Sequence, residues 1–234
     1  MTSIGMGSGV RAFDGAVRHE RTTERILLAC GILSSVLYVA TDVLGGLSYP
    51  GYSFNAQAVS ELGAIGAPSK PLVDTLFIGY DLLALFFGLG VFRAGATGNR
   101  PLRLAGAMLI AYGAVGFAAA VFGGPTLFAM HPRGGSVSSD ALHILLTAVL
   151  VLLLLLSTGF GAFALGRRFR WYSLATMATS IIAGAFTTRF PSRMEAGLPT
   201  PGLGIIERID IYSSLLWIAV LGALLLRPRN TADQ

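Results

Sequence analysis

A short segment in the second half of the chain brings together two histidines and an aspartate. His131 precedes Asp140, and His143 follows Asp140 by three residues. Residues three apart project from the same face of a helix, so Asp140 and His143 are predicted to point the same way. Two imidazoles and a carboxylate are the smallest protein ligand set of a catalytic zinc ion, whose fourth position holds water. The segment therefore predicts a metal site of His131, Asp140 and His143, with zinc as its cofactor.

Two other interpretations of the same residues stay open. Ser139 or Asp140 can cap a helix that begins here, because a side-chain oxygen accepts hydrogen bonds from the free amides of the first turn. In that case His143 lies at the level of the lipid headgroups and His131 bonds a loop carbonyl. Alternatively, the histidines exchange protons without a metal ion, since imidazole titrates near neutral pH.

Three further acids lie in or beside polar segments that lead into apolar stretches. Glu61 follows Ser60 in the first such segment, and Glu207 and Asp210 lie where the last apolar stretch begins. Carboxyl groups of this kind are common general acids and bases, so all three are predicted to be catalytic. The alternative for Glu207 and Asp210 is that they complement the positive end of a helix dipole.

An arginine, a serine and a tyrosine near these acids are predicted to bind a substrate. Arg208 lies at the membrane boundary, where its guanidinium either pairs with an internal carboxylate or holds an anionic headgroup. Tyr212 follows Arg208 by one helical turn, and Ser60 precedes Glu61. Ser60 acts as a nucleophile only with a base within hydrogen-bond reach, which the sequence does not determine.

Two aspartates lie inside apolar stretches. Asp81 falls near the middle of the second stretch, and Asp42 follows Ser35 and Tyr38 on one face of the first. Lipid does not solvate a carboxylate, so Asp81 must face the protein interior, either paired or protonated. In a carrier protein, Asp81 and Asp42 are the residues predicted to couple protons to transport.

Six apolar stretches must position all these residues. They cover residues 26–47, 72–92, 102–123, 141–165, 172–188 and 209–226. A helix rises about 1.5 Å per residue, so roughly 20 apolar residues cross a hydrocarbon core of about 30 Å. Hydrophobic residues make up 53% of the chain and charged residues 12%, which is typical of an integral membrane protein. The sequence predicts an all-α protein whose residues 26–227 form a bundle of six transmembrane helices.

The positive charges predict the orientation of this bundle. Most of the 17 Lys and Arg residues lie in the two tails and in the second and fourth connections, which share one side of a six-span protein. Cytoplasmic segments carry the excess of positive charge, so both termini of this multi-pass protein of the cell membrane are predicted to be cytoplasmic. The polar tails cover residues 1–25, disordered up to about His19, and residues 228–234. Because the basic rim faces anionic lipid, no nucleic acid is expected as a partner.

Three polar segments on the predicted extracytoplasmic side carry recognisable motifs. They are residues 60–64 (SELGA), residues 130–134 (MHPRG) followed by 140–143 (DALH), and residues 199–209 (PTPGLGIIERI). With these motifs the chain resembles the bacterial integral-membrane family known as the domain of unknown function 998, over about residues 28–227. The resemblance implies a helical membrane bundle and no particular activity.

The candidate residues are compatible with three functions. The first is a polar extracytoplasmic pocket that acts on a membrane lipid or another amphipathic small molecule, most concretely as a metal-dependent hydrolase. The second is a small proton-coupled transporter built around Asp81. The third is a non-catalytic membrane subunit whose polar cluster only fixes helix packing. The first function requires the acids and imidazoles of different helices to meet in one chamber. No oligomeric state is predicted.

Overall fold

The computed structural model of the protein describes residues 6–96, 98–122, 130–133 and 140–227, with side chains from residue 21 onward. Within these ranges the chain forms seven α-helices and a short 3₁₀ helix, and no strand. In chain order the elements are α1 (Met6–Leu47), the 3₁₀ helix (Val59–Gly63), α2 (Lys70–Ala94), α3 (Arg100–Phe122), α4 (Ala141–Gly161), α5 (Arg167–Thr187), α6 (Pro191–Glu195) and α7 (Leu203–Leu226). The all-α prediction is confirmed for this part of the chain.

Five of the helices are long and apolar enough to cross a membrane. They are α2, α3, α4, α7 and the part of α1 from Arg21 to Leu47. The shortest of them, α4, has 21 residues, which matches the roughly 20 residues that a hydrocarbon core requires. The chain is therefore an integral membrane protein that crosses its membrane several times.

The fifth predicted stretch forms α5, which has the length of a span but a more polar composition. Three arginines lie in its first turn, and Ser173, Thr176 and Ser180 follow. These three hydroxyl side chains are buried, so they point into the protein and not toward lipid. The described helices thus include five candidate spans, and the sixth span stays a prediction.

Two helix ends differ from the prediction. α1 begins at Met6, so residues 6–25 are helical where a polar and partly disordered tail is predicted. A helix grows at little cost from an existing one, and the apolar part of α1 supplies that start. α4 ends at Gly161 and not at residue 165, because the chain turns toward Gly166, whose φ of 87° favours glycine. Residues 1–5, 123 and 228–234 of the predicted segments lie outside the described residues.

The helices pack in chain order, and the last spanning helix returns to the first. α1 lies against α2, α2 against α3, α3 against α4, α4 against α5, and α5 against α7, which also lies against α1. The 3₁₀ helix contacts α1, α2 and α7. We call this end of the bundle, which carries residues 48–69, 130–133 and 188–202, the loop end. The predicted catalytic, metal-binding and substrate-binding residues lie there.

Candidate functional site

A buried ion pair joins α1 to α7 at the loop end. Arg208 donates from Nε to Oδ2 of Asp42 at 2.8 Å and from Nη2 to Oδ1 at 2.7 Å. Asp42 is fully buried, and the Tyr212 hydroxyl donates to the same carboxylate at 2.6 Å. Two parallel bonds between a guanidinium and a carboxylate are strong and fix the relative orientation of both groups. The pair therefore fixes α1 against α7.

The other donors of Arg208 are also used inside the protein. Nη2 donates to the Tyr52 hydroxyl at 2.8 Å, and Nη1 donates to the carbonyls of Phe54, Gln57 and Gly204. With the carboxylate bonds, all five N–H groups of the side chain are engaged. The structure thus forms the internal ion pair, and it leaves Arg208 no donor for an anionic headgroup.

A second arginine holds three loop-end segments together. Arg133 donates from Nε and Nη2 to the two carboxylate oxygens of Glu61, both at 2.8 Å. Nη2 also donates to the Ala56 carbonyl at 2.9 Å and to the Thr200 hydroxyl at 2.8 Å. We call this set of contacts the Arg133 clamp. It connects the segment 130–133 to the 3₁₀ helix and to the chain that leads into α7.

The Arg133 clamp fixes the position of the Glu61 carboxylate. The Glu61 side chain is 6% exposed and also accepts a hydrogen bond from the Ala58 amide at 2.9 Å. Hydrogen bonding to this carboxylate raises the pKa of the Arg133 guanidinium above its usual value. A carboxylate held by this many donors is a structural acceptor. The prediction of Glu61 as a catalytic acid or base gains no support from this geometry.

The two acids of α7 also have partners inside the protein. Glu207 accepts a hydrogen bond from the Val59 amide at 2.7 Å, which ties α7 to the first residue of the 3₁₀ helix. The Asp210 carboxyl interacts with the Ser180 hydroxyl of α5. Both side chains therefore link helices, and neither lies with the histidines.

The predicted histidine segment forms a pair. His131 Nδ1 lies 2.7 Å from Oδ1 of Asp140, and the His131 backbone amide donates to the same oxygen at 2.9 Å. Asp140 stands at the N-cap position of α4, but its side chain makes no capping bond. The carboxylate bonds His131 and not the free amides of the helix. The structure therefore does not adopt the helix-cap interpretation of Asp140.

This pair lines a cleft at the loop end. The cleft has a volume of about 110 Å³ and lies between the first turn of α4, the segment 130–133 and α6. Its lining combines both histidines and Asp140 with five apolar residues, which are Met130, Pro132, Ile144, Pro191 and Met194. Arg133 and Glu195 also line it. The structure thus brings His131, Asp140 and His143 to one cavity.

The same residues do not form a metal site of three ligands. In the described ranges, no group of three His, Cys, Asp or Glu side chains is arranged to hold an ion. The bond to His131 gives Asp140 the place of a partner that orients an imidazole, a role that carboxylates also have around metal-bound histidines. The zinc site therefore stays a prediction.

Two further predicted residues lie apart from the cleft chemistry. The Ser60 hydroxyl donates weakly to the Met130 sulfur at 3.5 Å, and among the described residues no base lies within hydrogen-bond distance of it. Asp81 lies near the midpoint of α2, away from the loop end, and is 9% exposed. The residues predicted to share one chamber thus lie in four places. These are the Arg208–Asp42 pair, the Arg133 clamp, the cleft and the interior position of Asp81.

Arg133 is the main residue that the sequence reasoning missed. It was one of the few cations predicted on the extracytoplasmic side, and it lies in the same motif as His131. Glu61 had no other assigned partner, so charge pairing between the two motifs was the available signal. Thr200, which bonds Arg133, and Tyr52, which bonds Arg208, carried no comparable signal in the sequence.

The comparison with known protein families identifies the family of this chain. The sequence model of DUF998, a family described as proteins of unknown function, matches residues 32–224. No curated protein and no solved structure matches the chain. The matched range includes the Arg208–Asp42 pair, the Arg133 clamp and the cleft. The family resemblance inferred from the motifs is confirmed. The chain belongs to the DUF998 family.

Proposed function

We propose that this protein binds an amphipathic molecule, foremost a membrane lipid, in the cleft and uses the His131–Asp140 pair to transfer protons on it. The observation that carries the proposal is the 2.7 Å contact between Nδ1 and the carboxylate inside a cavity. When Nδ1–H donates to Asp140, Nε2 keeps its lone pair. Nε2 has no partner among the described residues and is the atom that exchanges protons.

The walls of the cleft favour an amphipathic ligand. Ile144 belongs to the cleft and is 47% exposed, and its neighbour Leu145 is 60% exposed. Only 11% of the most apolar window of α4 is buried inside the protein, so most of this helix faces lipid. The cleft therefore borders the lipid-facing surface on one side and polar side chains on the other, which suits a lipid whose headgroup reaches the imidazole.

The reaction that this geometry suits best is hydrolysis by general acid–base catalysis. His131 Nε2 removes a proton from water, and the resulting nucleophile attacks the ester carbon or phosphorus of the ligand. The leaving oxygen then takes the proton from the imidazolium, while Asp140 holds the ring and stabilises its charge. The Arg133 clamp positions the segment that carries His131. In the metal-dependent version, His131, Asp140 and His143 would hold a zinc ion, which would supply an activated water.

Lipid turnover in vesicles tests the proposal. Purified protein is placed in vesicles of phosphatidylethanolamine and phosphatidylglycerol, and the products are followed by mass spectrometry. We expect the protein to release a headgroup or a fatty acid, and His131→Gln and Asp140→Asn to lower the rate by at least about 100-fold. Asp74→Asn is the control, because it removes a loop-end carboxylate that is 43% exposed and bound to Lys70. Unchanged vesicles, or full turnover in His131→Gln, would contradict the proposal.

The direction of the cleft follows from a six-span topology, which we also propose. The length of α5 and its packing between α4 and α7 support a sixth span, and the arginines at its start support a cytoplasmic position of both termini. The loop end is then extracytoplasmic. Single cysteines at exposed positions test this in Cys30→Ser protein: an impermeant maleimide should label Thr188→Cys in intact cells and leave Arg168→Cys unlabelled. The reverse pattern, or labelling of both, contradicts it.

The observations give each of the other two functions one specific support. The use of Asp42, Glu61, Glu207 and Arg208 in internal bonds favours a non-catalytic subunit, and such a protein would show no lipid turnover at all. The transporter is favoured by Asp81 alone, a carboxyl group in the interior of the bundle.

A further inference from the structure

One carboxyl group lies in the interior of the helix bundle without a polar partner. Asp81 is 9% exposed, and among the described residues no hydrogen-bond donor and no cation contacts its side chain. Asp42 provides the contrast, because it is also buried but accepts bonds from Arg208 and Tyr212. Asp42 is thus compensated, whereas Asp81 has no compensating partner among the described residues.

The Asp81 side chain lies directly against the backbone of α3. A Cβ atom added to Gly116 would overlap its Oδ1 atom and come within 2.7 Å of its Cγ. One turn earlier, a Cβ on Gly113 would lie 2.8 Å from the Asp81 carbonyl oxygen. Glycines of this kind allow helices to approach closely. The seam between α2 and α3 therefore encloses the carboxyl and leaves no space for a long cationic side chain.

The ionisable groups around this seam are tyrosines and acids. They are Tyr80 on α2, Tyr112 on α3, Tyr38 on α1 and Asp210 on α7. The hydroxyls of Tyr80 and Tyr112 lie 2.8 Å apart and bond each other instead of Asp81. No group in this described set carries a positive charge, so none balances an ionised Asp81.

We propose that Asp81 is a reversible proton-binding site inside the membrane, at the seam between α2 and α3. An unpaired ionised carboxylate is costly in this environment, so a proton or a bound cation must accompany it. A metal cation such as Ca²⁺ or Mg²⁺ requires about six oxygen ligands. The described neighbours offer only the carboxyl group and hydroxyls that already bond each other, so the proton is the ligand that fits.

Release of the proton changes the packing of the two helices. When the O–H bond breaks, the proton passes to water and both bonding electrons stay on the carboxylate. The remaining negative charge then faces the Gly116 backbone without compensation, which favours separation of α2 from α3. A membrane protein that gains and loses a proton in this way has the element on which proton-coupled transport depends. The inference does not depend on the cleft, and either can fail without the other.

Labelling with N,N′-dicyclohexylcarbodiimide tests the site in the full-length protein in vesicles. This lipid-soluble reagent reacts with protonated carboxyl groups: the acid adds across a C=N bond, and an acyl shift leaves a stable N-acylurea. Peptide mass spectrometry then reads the labelling of each aspartate. We expect modification of Asp81 and none of Asp42. Once the proton is lost, the rate at Asp81 should fall about tenfold for each pH unit.

Two matched variants separate the carboxyl group from its surroundings. Asp81→Asn should remove this label, and Gly116→Ala should raise the labelling rate several-fold, because the new methyl group displaces the carboxyl from the seam. Gly184→Ala is the control, since a Cβ there has no atom within 4 Å, and it should label as the unchanged protein does. The proposal is overturned by an unlabelled Asp81 at acid pH, by labelling that does not change with pH, or by protection with Na⁺ at constant pH, which would indicate a cation site.

Discussion

Arg208 and Asp42 are 166 residues apart in the chain, yet their side chains form two hydrogen bonds of 2.8 and 2.7 Å in the interior of the bundle. Each group depends on the other, because an ion in this environment needs a partner of opposite charge. The chain before the 3₁₀ helix packs around the same guanidinium through the carbonyl groups of Phe54 and Gln57. The loop end therefore has its rigid centre at this pair.

The first prediction concerns the removal of one member of the pair. Asp42→Asn leaves a buried arginine without its counter-charge, and breaking a buried pair in this way costs about 3–5 kcal/mol. We expect a clearly lower unfolding midpoint in detergent, measured by intrinsic fluorescence against denaturant. Asp74→Asn breaks the exposed pair with Lys70 and should change the midpoint little, since such pairs contribute about 0–1 kcal/mol. Equal effects of both variants would show that the interior pair has no special weight.

The second prediction distinguishes a structural from a catalytic Glu61. If the Arg133 clamp is structural, Glu61→Gln and Arg133→Gln destabilise the protein by about 1.5–3 kcal/mol each, and the double variant by much less than the sum. The double-mutant cycle is measured by thermal unfolding. If Glu61 is instead catalytic, Glu61→Gln abolishes lipid turnover and leaves the unfolding midpoint unchanged. A fully additive cycle would argue against the clamp.

The sequence predicted the faces of the helices better than the pairs that they form. Lipid does not solvate a carboxylate, so the sequence places Asp81 in the interior and offers Arg208 an internal carboxylate as one of two partners. However, the sequence did not identify that carboxylate, and the packing of α1 against α7 brings Asp42 to Arg208. Helical periodicity defines which residues share a face, but it does not define how two faces meet.

The cleft shows the same limit at shorter range. His131 and Asp140 were predicted to act together, since they flank one short segment. Their spacing allows a metal site, a helix cap or a hydrogen-bonded pair equally well. The choice depends on the position of His131 relative to the start of α4, and Arg133 of the same segment is held by the Arg133 clamp. That clamp connects three loop segments, and long-range contacts between loops have no periodic pattern in the sequence.

The third prediction concerns the metal ion. Because Asp140 holds His131 through Nδ1, the acid–base pair needs no metal, and we expect lipid turnover to survive EDTA treatment. Zinc content is measured on the same purified samples by elemental mass spectrometry. About one zinc ion per chain, lost in His143→Ala together with activity, would support the zinc site instead. Full activity of His143→Ala would show that His143 takes no part in the reaction.

The last prediction concerns the closest backbone contact at the loop end. A Cβ atom on Gly204 would overlap the carbonyl oxygens of Phe54 and Gln57 and come within 2.8 Å of Arg208 Nη1. Gly204→Ala must therefore push residues 54–57 away from α7, which removes acceptors from Arg208 and disturbs the 3₁₀ helix that follows.

Overpacking of this kind costs about 1–3 kcal/mol, so the unfolding midpoint of Gly204→Ala should fall. The loop should also open, which is measured as faster amide hydrogen exchange over residues 52–63. Gly184→Ala provides the control in α5, where added volume meets open space and the exchange pattern should stay unchanged. Unchanged exchange in Gly204→Ala would mean that the loop does not dock on α7 through this contact.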